Sequence, residues 1–170
     1  MSNTPGVITR SYTFVAAAAA LAIVLGYFKL YRLPQGGSIT LETVPILFIA
    51  LWKGPRTGIQ AGIVAGLLKL ILDPFIIHPV QILLDYPIPF ACLGCAAFSS
   101  ALPRLGIVLG NTLRFACHLI SGVVFFSSYA PDGSSVWYYS AMYNASYILP
   151  EALIALFIVP PILRRISSTM

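Results

Sequence analysis

Charged side chains are scarce in this sequence. Asp, Glu, Lys and Arg make up 9% of its 170 residues, whereas 58% are hydrophobic, and the mean hydropathy is +0.88. A soluble domain usually carries about 25% charged residues, because water must solvate its surface. So few charges cannot cover a water-facing surface, and the sequence therefore predicts a protein that lies in a membrane.

Motifs of several other protein classes are missing as well. No G-x-x-x-x-G-K-[ST] loop occurs, so the chain cannot energise transport with ATP by itself. Its Lys and Arg residues are scattered rather than clustered, which argues against nucleic-acid binding. Ser121 and His118 lack a G-x-S-x-G elbow, and Cys92 and Cys95 lack a second pair. We therefore expect no catalytic residues, no metal site and no cofactor.

Apolar segments follow one another along the whole chain. A membrane-spanning helix needs about 20 residues, because each residue advances about 1.5 Å through a core about 30 Å thick. The first segment has no small-residue cleavage site, so it is interpreted as a retained helix rather than a signal peptide. The sequence predicts an all-α integral membrane protein, a single domain over residues 1–170 with a six-helix transmembrane bundle. The predicted helices lie near 11–29, 40–52, 57–73, 79–102, 105–128 and 137–163.

The positions of Lys and Arg predict the orientation of these helices, because cytoplasmic loops are enriched in both residues. Only Lys29 and Arg32 would lie outside if the N-terminus were cytoplasmic. The residues then placed inside are Arg10, Lys53, Arg56, Arg104, Arg164 and Arg165. This asymmetry predicts that both termini are cytoplasmic, in a protein that crosses the cell membrane of a prokaryote several times.

Small residues indicate where helices pack closely. Gly58, Gly62 and Gly66 recur every four residues in the third segment, and the first segment contains the run from Ala16 to Ala20. Small side chains let helix backbones approach each other in lipid. Taken alone, both patterns favour packing inside the bundle over contact with another protein.

Polar residues of three helices are predicted to lie at similar depths. Counted along ideal helices from the outer surface, Tyr139, Asp85, Asn144 and His118 lie about 3, 9, 11 and 15 Å deep. Polar groups inside spanning helices are costly and usually functional. The sequence thus predicts a pocket that opens outward.

Aromatic residues accompany this polar layer. Tyr139, Tyr143 and Tyr147 form one stripe on the last helix, and Phe126 ends the helix before it. A carboxylate such as Asp85 beside aromatic faces suits a flat organic cation. The pattern would also suit other amines.

Other charged residues within the helices are predicted to stabilise the fold rather than to bind a ligand. Arg114 and Glu151 both lie about 21 Å from the outer surface, where an unpaired charge is very costly, so we expect a structural ion pair between them. For Lys69 the sequence leaves two possibilities, a pair with Asp73 one turn later or extension towards the membrane surface.

Several stretches, in order along most of the chain, resemble a known family. They are Leu33-Pro34-Gln35-Gly36-Gly37-Ser38, Pro45-Ile46, His78-Pro79-Val80-Gln81-Ile82-Leu83-Leu84-Asp85-Tyr86, Arg114, His118-Leu119-Ile120-Ser121-Gly122-Val123-Val124-Phe125-Phe126, Tyr129-Ala130-Pro131-Asp132-Gly133, Val136-Trp137-Tyr138-Tyr139-Ser140 and Tyr143-Asn144-Ala145-Ser146-Tyr147. In these stretches the sequence is similar to the thiamine-specific substrate-binding subunits (S components) of energy-coupling factor (ECF) transporters.

The resemblance implies roles for individual residues. Asp85 would face the aminopyrimidine of thiamine with Tyr86 beside it, although some members have Glu at this position. Phe126 stands where some members stack a Trp on the ligand. His118, Tyr139 and Asn144 match further ligand-contacting positions, and we expect Tyr143 and Tyr147 to join them.

The resemblance also implies a lid and partners. Gln35, Gly36, Gly37 and Ser38 would form a lid over the site. Ala16 and Ala20 match the helix-docking motif through which such subunits bind a membrane coupling protein, and two ATPases would supply the energy.

The expected function is high-affinity capture of external thiamine for ATP-driven import, without catalysis. An S component for a thiamine precursor such as hydroxymethylpyrimidine is the first alternative. A small intramembrane enzyme using His118 and Asp85 is another, and a self-sufficient channel or carrier is the last. Such carriers often contain internal repeats, and no convincing repeat is present here.

Overall fold

The protein is described by a computed structural model over residues 5–168, with side chains from residue 11 onward. Seven α-helices and one short β-hairpin make up most of this range. The helices α1 to α7 are Pro5–Tyr27, Thr43–Lys53, Pro55–Leu72, Pro79–Asp85, Pro87–Leu93, Pro103–Phe125 and Val136–Ser167. The strands β1 and β2 are Tyr31–Arg32 and Ser38–Ile39, and they pair antiparallel.

Three helical stretches are long and apolar enough to cross a membrane. They are Pro79–Ser99, Pro103–Phe125 and Val136–Ser167. Two shorter apolar stretches, Ser11–Tyr27 and Thr43–Lys53, belong to α1 and α2. The fold is therefore an all-α membrane architecture, and at about 48 Å its longest helix, α7, exceeds the bilayer core of about 30 Å.

The helix predicted over 79–102 is not continuous. It divides into α4, α5 and a 3₁₀ helix over Gly94–Ser99, with the first break at Tyr86. Pro87 causes this break, because proline has no N–H and disfavours helical geometry in the residue before it. The break places Asp85 and Tyr86 at a bend instead of inside a regular helix.

The glycine face of α3 packs against α5, which confirms the packing prediction for these glycines. A Cβ at Gly62 would overlap the backbone of Phe90, and one at Gly66 would overlap the backbone of Tyr86. Only glycine allows this approach of two backbones. The contact holds the bend at Tyr86 against α3.

The alanine run of α1 divides between two faces. Val15, Ala18 and Ala19 are buried in the bundle, whereas Ala16 and Ala20 are exposed. Internal packing, which the pattern taken alone favoured, therefore holds for Ala18 and Ala19 but not for Ala16 and Ala20. Helical periodicity explains the difference, because residues four apart share one face.

The main hydrophobic core lies where α2, α5, α6 and α7 meet. Its largest side chains are fully or almost fully buried. They include Ile46, Leu47, Phe90, Leu93, Ile107 and Val159. This core fixes the spacing of the helices that surround the cavity described next.

Candidate functional site

A cavity of about 170 Å³ opens between the β-hairpin, the segment 73–75 and helices α4, α6 and α7. All eight side chains predicted to bind a ligand line it, and so do the four predicted lid residues. Those residues are Asp85, Tyr86, His118, Phe126, Tyr139, Tyr143, Asn144 and Tyr147, together with Gln35, Gly36, Gly37 and Ser38.

Asp85 is held on both of its carboxylate oxygens. Its Oδ1 lies 3.2 Å from His118 Nδ1, and its Oδ2 accepts a hydrogen bond of 2.6 Å from Gln81 Nε2. Because an ionised carboxylate only accepts hydrogen bonds, His118 must carry its proton on Nδ1. His118 Nε2 is buried and has no partner within residues 11–168. This nitrogen can accept a hydrogen bond from a ligand.

The other carboxylates around the cavity have cationic partners. Lys69 Nζ donates to both carboxylate oxygens of Glu42, at 2.6 and 2.7 Å, and Arg114 Nη2 lies 3.6 Å from Glu42 Oε1. Arg114 Nη1 also donates to Glu151 Oε2, so the pair predicted from depth lies within a four-residue network. This network carries no net charge, which is what a buried group of ions requires.

Asp73 belongs to a separate pair. Lys29 Nζ donates to Asp73 Oδ2 at 2.7 Å, and this hydrogen bond lowers the pKa of Asp73 below its ordinary value. Neither possibility raised for Lys69 is correct, because Lys69 pairs with Glu42 and Asp73 pairs with Lys29. Of the three carboxylates that line the cavity, Asp85 alone has no Lys or Arg partner among the described residues.

Aromatic rings line the same cavity as Asp85. On α7, Tyr139 and Tyr143 are stacked with ring centres 6.2 Å apart, and Tyr147 follows edge-on at 6.0 Å. After the end of α6, Phe126 stacks against Phe75 at 5.9 Å with an interplanar angle of 20°. The negative faces of such rings attract a cation, most strongly where water is excluded.

Asn144 is occupied largely by its own helix neighbours. Its Nδ2 donates to the backbone oxygens of Ser140 and His118, at 2.9 and 3.3 Å, and its Oδ1 accepts a 2.6 Å bond from the Tyr147 hydroxyl. An amide oxygen has two lone pairs, so one acceptor position remains for a ligand. Asn144 thus also orients Tyr147 and connects α6 to α7.

The β-hairpin covers the cavity and is attached to α7 at two points. Gly37 N–H donates to the Tyr143 hydroxyl at 3.0 Å, and the Thr40 N–H and hydroxyl both donate to Glu151 Oε1, at 2.8 and 2.7 Å. A buried carboxylate of the ion network therefore also fixes the end of the hairpin. The predicted lid and the helix that carries the tyrosine stripe form one connected unit.

Comparison with known proteins identifies the family to which these features belong. The family model described as thiamine transporter protein matches residues 12–170. The chain belongs to this family. Two curated members are both named thiamine transporter ThiT. The protein of Bacillus subtilis is 38% identical over 156 residues, covering 82% of this chain and 80% of its own length. That of Lacticaseibacillus paracasei is 30% identical over 164 residues, covering 85% and 82%.

Solved structures share the fold of this family member. ThiT of Listeria monocytogenes superposes with a TM-score of 0.84 at 23% identity, covering 92% of this chain and 94% of that one. The S component of a bacterial ECF transporter gives a TM-score of 0.62 at 18% identity, covering 95% and 97%. The family is one of membrane transporters, so the enzyme considered from His118 and Asp85 is ruled out as an interpretation.

Sequence reasoning did not assign several of the lining residues to the cavity. Among them, Glu42, Lys69, Gln81 and Phe75 matter most for the site, and none of the four was predicted to bind the ligand. Gln81 lies four residues before Asp85, so the one-turn spacing on α4 was a usable signal. Phe75 lies in an irregular segment, where no periodic pattern predicts the direction of a side chain.

Proposed function

We propose that this chain is the thiamine-binding S component of an ECF-type vitamin importer. The observation that supports this proposal most is that Asp85 is the one cavity carboxylate without a Lys or Arg partner in the described chain, and that it shares the cavity with two groups of aromatic rings. Arg32 of the hairpin also lines the cavity, but among residues 11–168 no ion pair with Lys or Arg neutralises the Asp85 carboxylate. Thiamine carries one permanent positive charge on a flat ring, so its charge and shape complement the site.

Different residues of the cavity bind different parts of the ligand. Asp85 accepts hydrogen bonds from the aminopyrimidine, and Tyr86 packs beside it. The thiazolium cation lies among Phe126, Tyr139 and Tyr143. The hydroxyl at the other end of the vitamin bonds to His118 Nε2 or to the free lone pair of Asn144 Oδ1. Every contact is non-covalent, because capture for import requires release of the vitamin unchanged.

The hairpin closes the site. Its Gly36-Gly37 turn lies against the tyrosine stripe through the Gly37–Tyr143 hydrogen bond. Breaking this bond opens the cavity mouth, and reforming it excludes water from the bound cation. Exclusion of water strengthens both the cation–aromatic attraction and the contact with Asp85.

Orientation and partners follow from the charges and from α1. The chain crosses the membrane six times with both termini inside, which places the cavity in the outer half of the bilayer and the Lys53, Arg56 and Arg104 loops in the cytoplasm. The exposed Ala16 and Ala20 present a smooth face to a membrane coupling protein. That protein and two ATPases of an ECF module supply the energy, since this chain has no nucleotide-binding loop.

The test is binding to protein purified in detergent without added vitamin. Heat of binding is the suitable signal, because neither Trp52 nor Trp137 lines the cavity. We expect stoichiometric binding of thiamine, recovery of intact vitamin and no binding of riboflavin. If folded protein bound hydroxymethylpyrimidine but not thiamine, the ligand would be a precursor. Failure to bind either compound would overturn the proposal.

A further inference from the structure

Gln81 lines the cavity, and its buried side-chain amide is hydrogen-bonded through both its oxygen and its nitrogen. It lies on α4 one turn before Asp85 and is 1% exposed. Its amide forms three hydrogen bonds, two with the segment before α4 and one with the carboxylate of Asp85. Burying an amide is costly unless its groups are paired, and this one is paired on both sides.

The backbone determines which way the Gln81 amide faces. The Ile77 N–H can only donate, and it lies 3.1 Å from Gln81 Oε1. The Phe75 carbonyl can only accept, and it lies 3.1 Å from Gln81 Nε2. Rotating the amide by 180° would set donor against donor and acceptor against acceptor. Gln81 therefore always presents an N–H to Asp85.

This fixed donor determines how Asp85 faces the cavity. Gln81 occupies Oδ2 from one direction and His118 occupies Oδ1 from another, so the carboxylate plane cannot rotate freely. An ionised carboxylate has about four lone-pair positions, of which about two then remain for a ligand. Asp85 also has a shorter side chain than the Glu found in some relatives. It cannot use side-chain length to correct a poor orientation.

The same amide connects the carboxylate to the aromatic wall. Gln81 bonds the backbone of Phe75, whose ring stacks on Phe126 across the cavity. The Phe75 N–H donates to the Tyr86 hydroxyl at 2.6 Å, which holds the same segment from the other side. Loss of the Gln81 amide would release the carboxylate and loosen one support of the wall.

We propose that Gln81 is a positioning residue that determines specificity for an amino-substituted ring. It holds Asp85 as a pure acceptor aimed into the cavity, so a ring that offers N–H groups is bound. A ring with a carbonyl at that position places its oxygen against a carboxylate oxygen of Asp85. Neither oxygen can donate a hydrogen bond, so such a ring binds weakly. This proposal rests on the proposed function and adds a residue that does not itself need to touch the vitamin.

The test compares three ligands in wild-type protein and in Gln81→Met. Thiamine and pyrithiamine both carry the aminopyrimidine, whereas oxythiamine has a carbonyl in place of its amino group. Methionine has a length similar to that of glutamine but forms no comparable hydrogen bonds. We expect affinity for thiamine and pyrithiamine to fall at least tenfold and affinity for oxythiamine to change less than about threefold. The preference for thiamine over oxythiamine would then fall several-fold.

A purely structural role predicts a different pattern. In that case Gln81→Met would weaken all three ligands by the same factor, and this result, or unchanged affinities, would overturn the proposal. Gln60→Met on α3 is the matched control, because Gln60 does not line the cavity, and it should leave all three affinities unchanged.

A second variant keeps the test possible if Gln81→Met does not fold. Gln81→Leu removes both the amide donor and the amide acceptor and places no second acid beside Asp85, so the same loss of preference is expected. Thermal unfolding in detergent shows whether each variant is folded. Wild-type protein that binds neither aminopyrimidine compound would contradict the proposed function. Wild-type binding with an unchanged preference in a folded variant would contradict only the role of Gln81.

Discussion

Five acidic residues occur in this chain, and their partners assign them different roles. Glu42 and Glu151 are compensated by Lys69 and Arg114, and Asp73 by Lys29, so these three stabilise the fold. Removing one member of a buried pair leaves its partner's charge uncompensated, which costs several kcal/mol. Asp85 has only His118 and Gln81, and its charge remains for the ligand.

We predict that Asp85→Asn weakens thiamine binding at least tenfold, which corresponds to about 1.4 kcal/mol. The substitution removes the negative charge and also places an N–H2 group opposite the Gln81 or His118 donor. Calorimetric titration would measure the affinity, and thermal unfolding would show that the variant is folded. Asp132→Asn, in the exposed loop before α7, is the matched control. Unchanged affinity in folded Asp85→Asn would show that the Asp85 carboxylate does not take part in thiamine binding.

The position of the β-hairpin depends on a single small residue, Gly37. Gly37 lies so close to α7 that a Cβ there would be 2.9 Å from both Tyr143 Oη and Tyr147 Cδ1. Its N–H also forms the hydrogen bond that holds the turn on the tyrosine stripe. Any side chain at this position must lift the turn.

We predict that Gly37→Ala speeds release of bound thiamine several-fold and lowers affinity by a similar factor. The lifted turn loses its bond to Tyr143 and lets water reach the site. Release of labelled thiamine into excess unlabelled vitamin would measure the rate. Ser135→Ala, in the exposed loop before α7, is the control, because Ser135 does not line the cavity and its side chain does not cap the helix. Equal release from Gly37→Ala and wild-type protein would show that the turn does not retain the ligand.

At the scale of the whole molecule, the proposed function uses two surfaces, the cavity and the exposed face of α1. On α1, Ala19 is buried in the bundle, whereas Ala16 and Ala20 face outward. In lipid, a face of small residues gives little packing by itself but lets a partner helix approach closely. Binding and energy coupling should therefore be separable by mutation.

We predict that Ala16→Trp and Ala20→Trp abolish thiamine uptake while leaving binding intact. A large ring on this face would keep the coupling protein at a distance without disturbing the cavity. Uptake of labelled thiamine by cells that also express an ECF module would be compared with calorimetric binding. Phe157→Trp on α7, at a position that is 78% exposed, should leave uptake unchanged. Full uptake by both alanine variants would contradict the docking role.

The sequence by itself determined the membrane class, the order of the apolar segments and the eight predicted ligand-binding residues, all of which line the cavity. Hydropathy, helix rise and the period of the tyrosine stripe are local properties, so they do not depend on how the helices are arranged. The depth count could therefore place Asp85, His118 and Asn144 in one layer before any contact between their helices was known.

Only the tertiary structure decided which polar groups bind each other. Lys69 could reach Asp73 along its own helix, but the arrangement of α2, α3 and α6 places Glu42 nearer and leaves Asp73 to Lys29. The bend at Tyr86 and the path of residues 73–78 bring Phe75 and Gln81 to the cavity in the same way. Pairing depends on how far each helix is rotated about its axis and on the course of irregular segments, and neither is encoded in a local pattern.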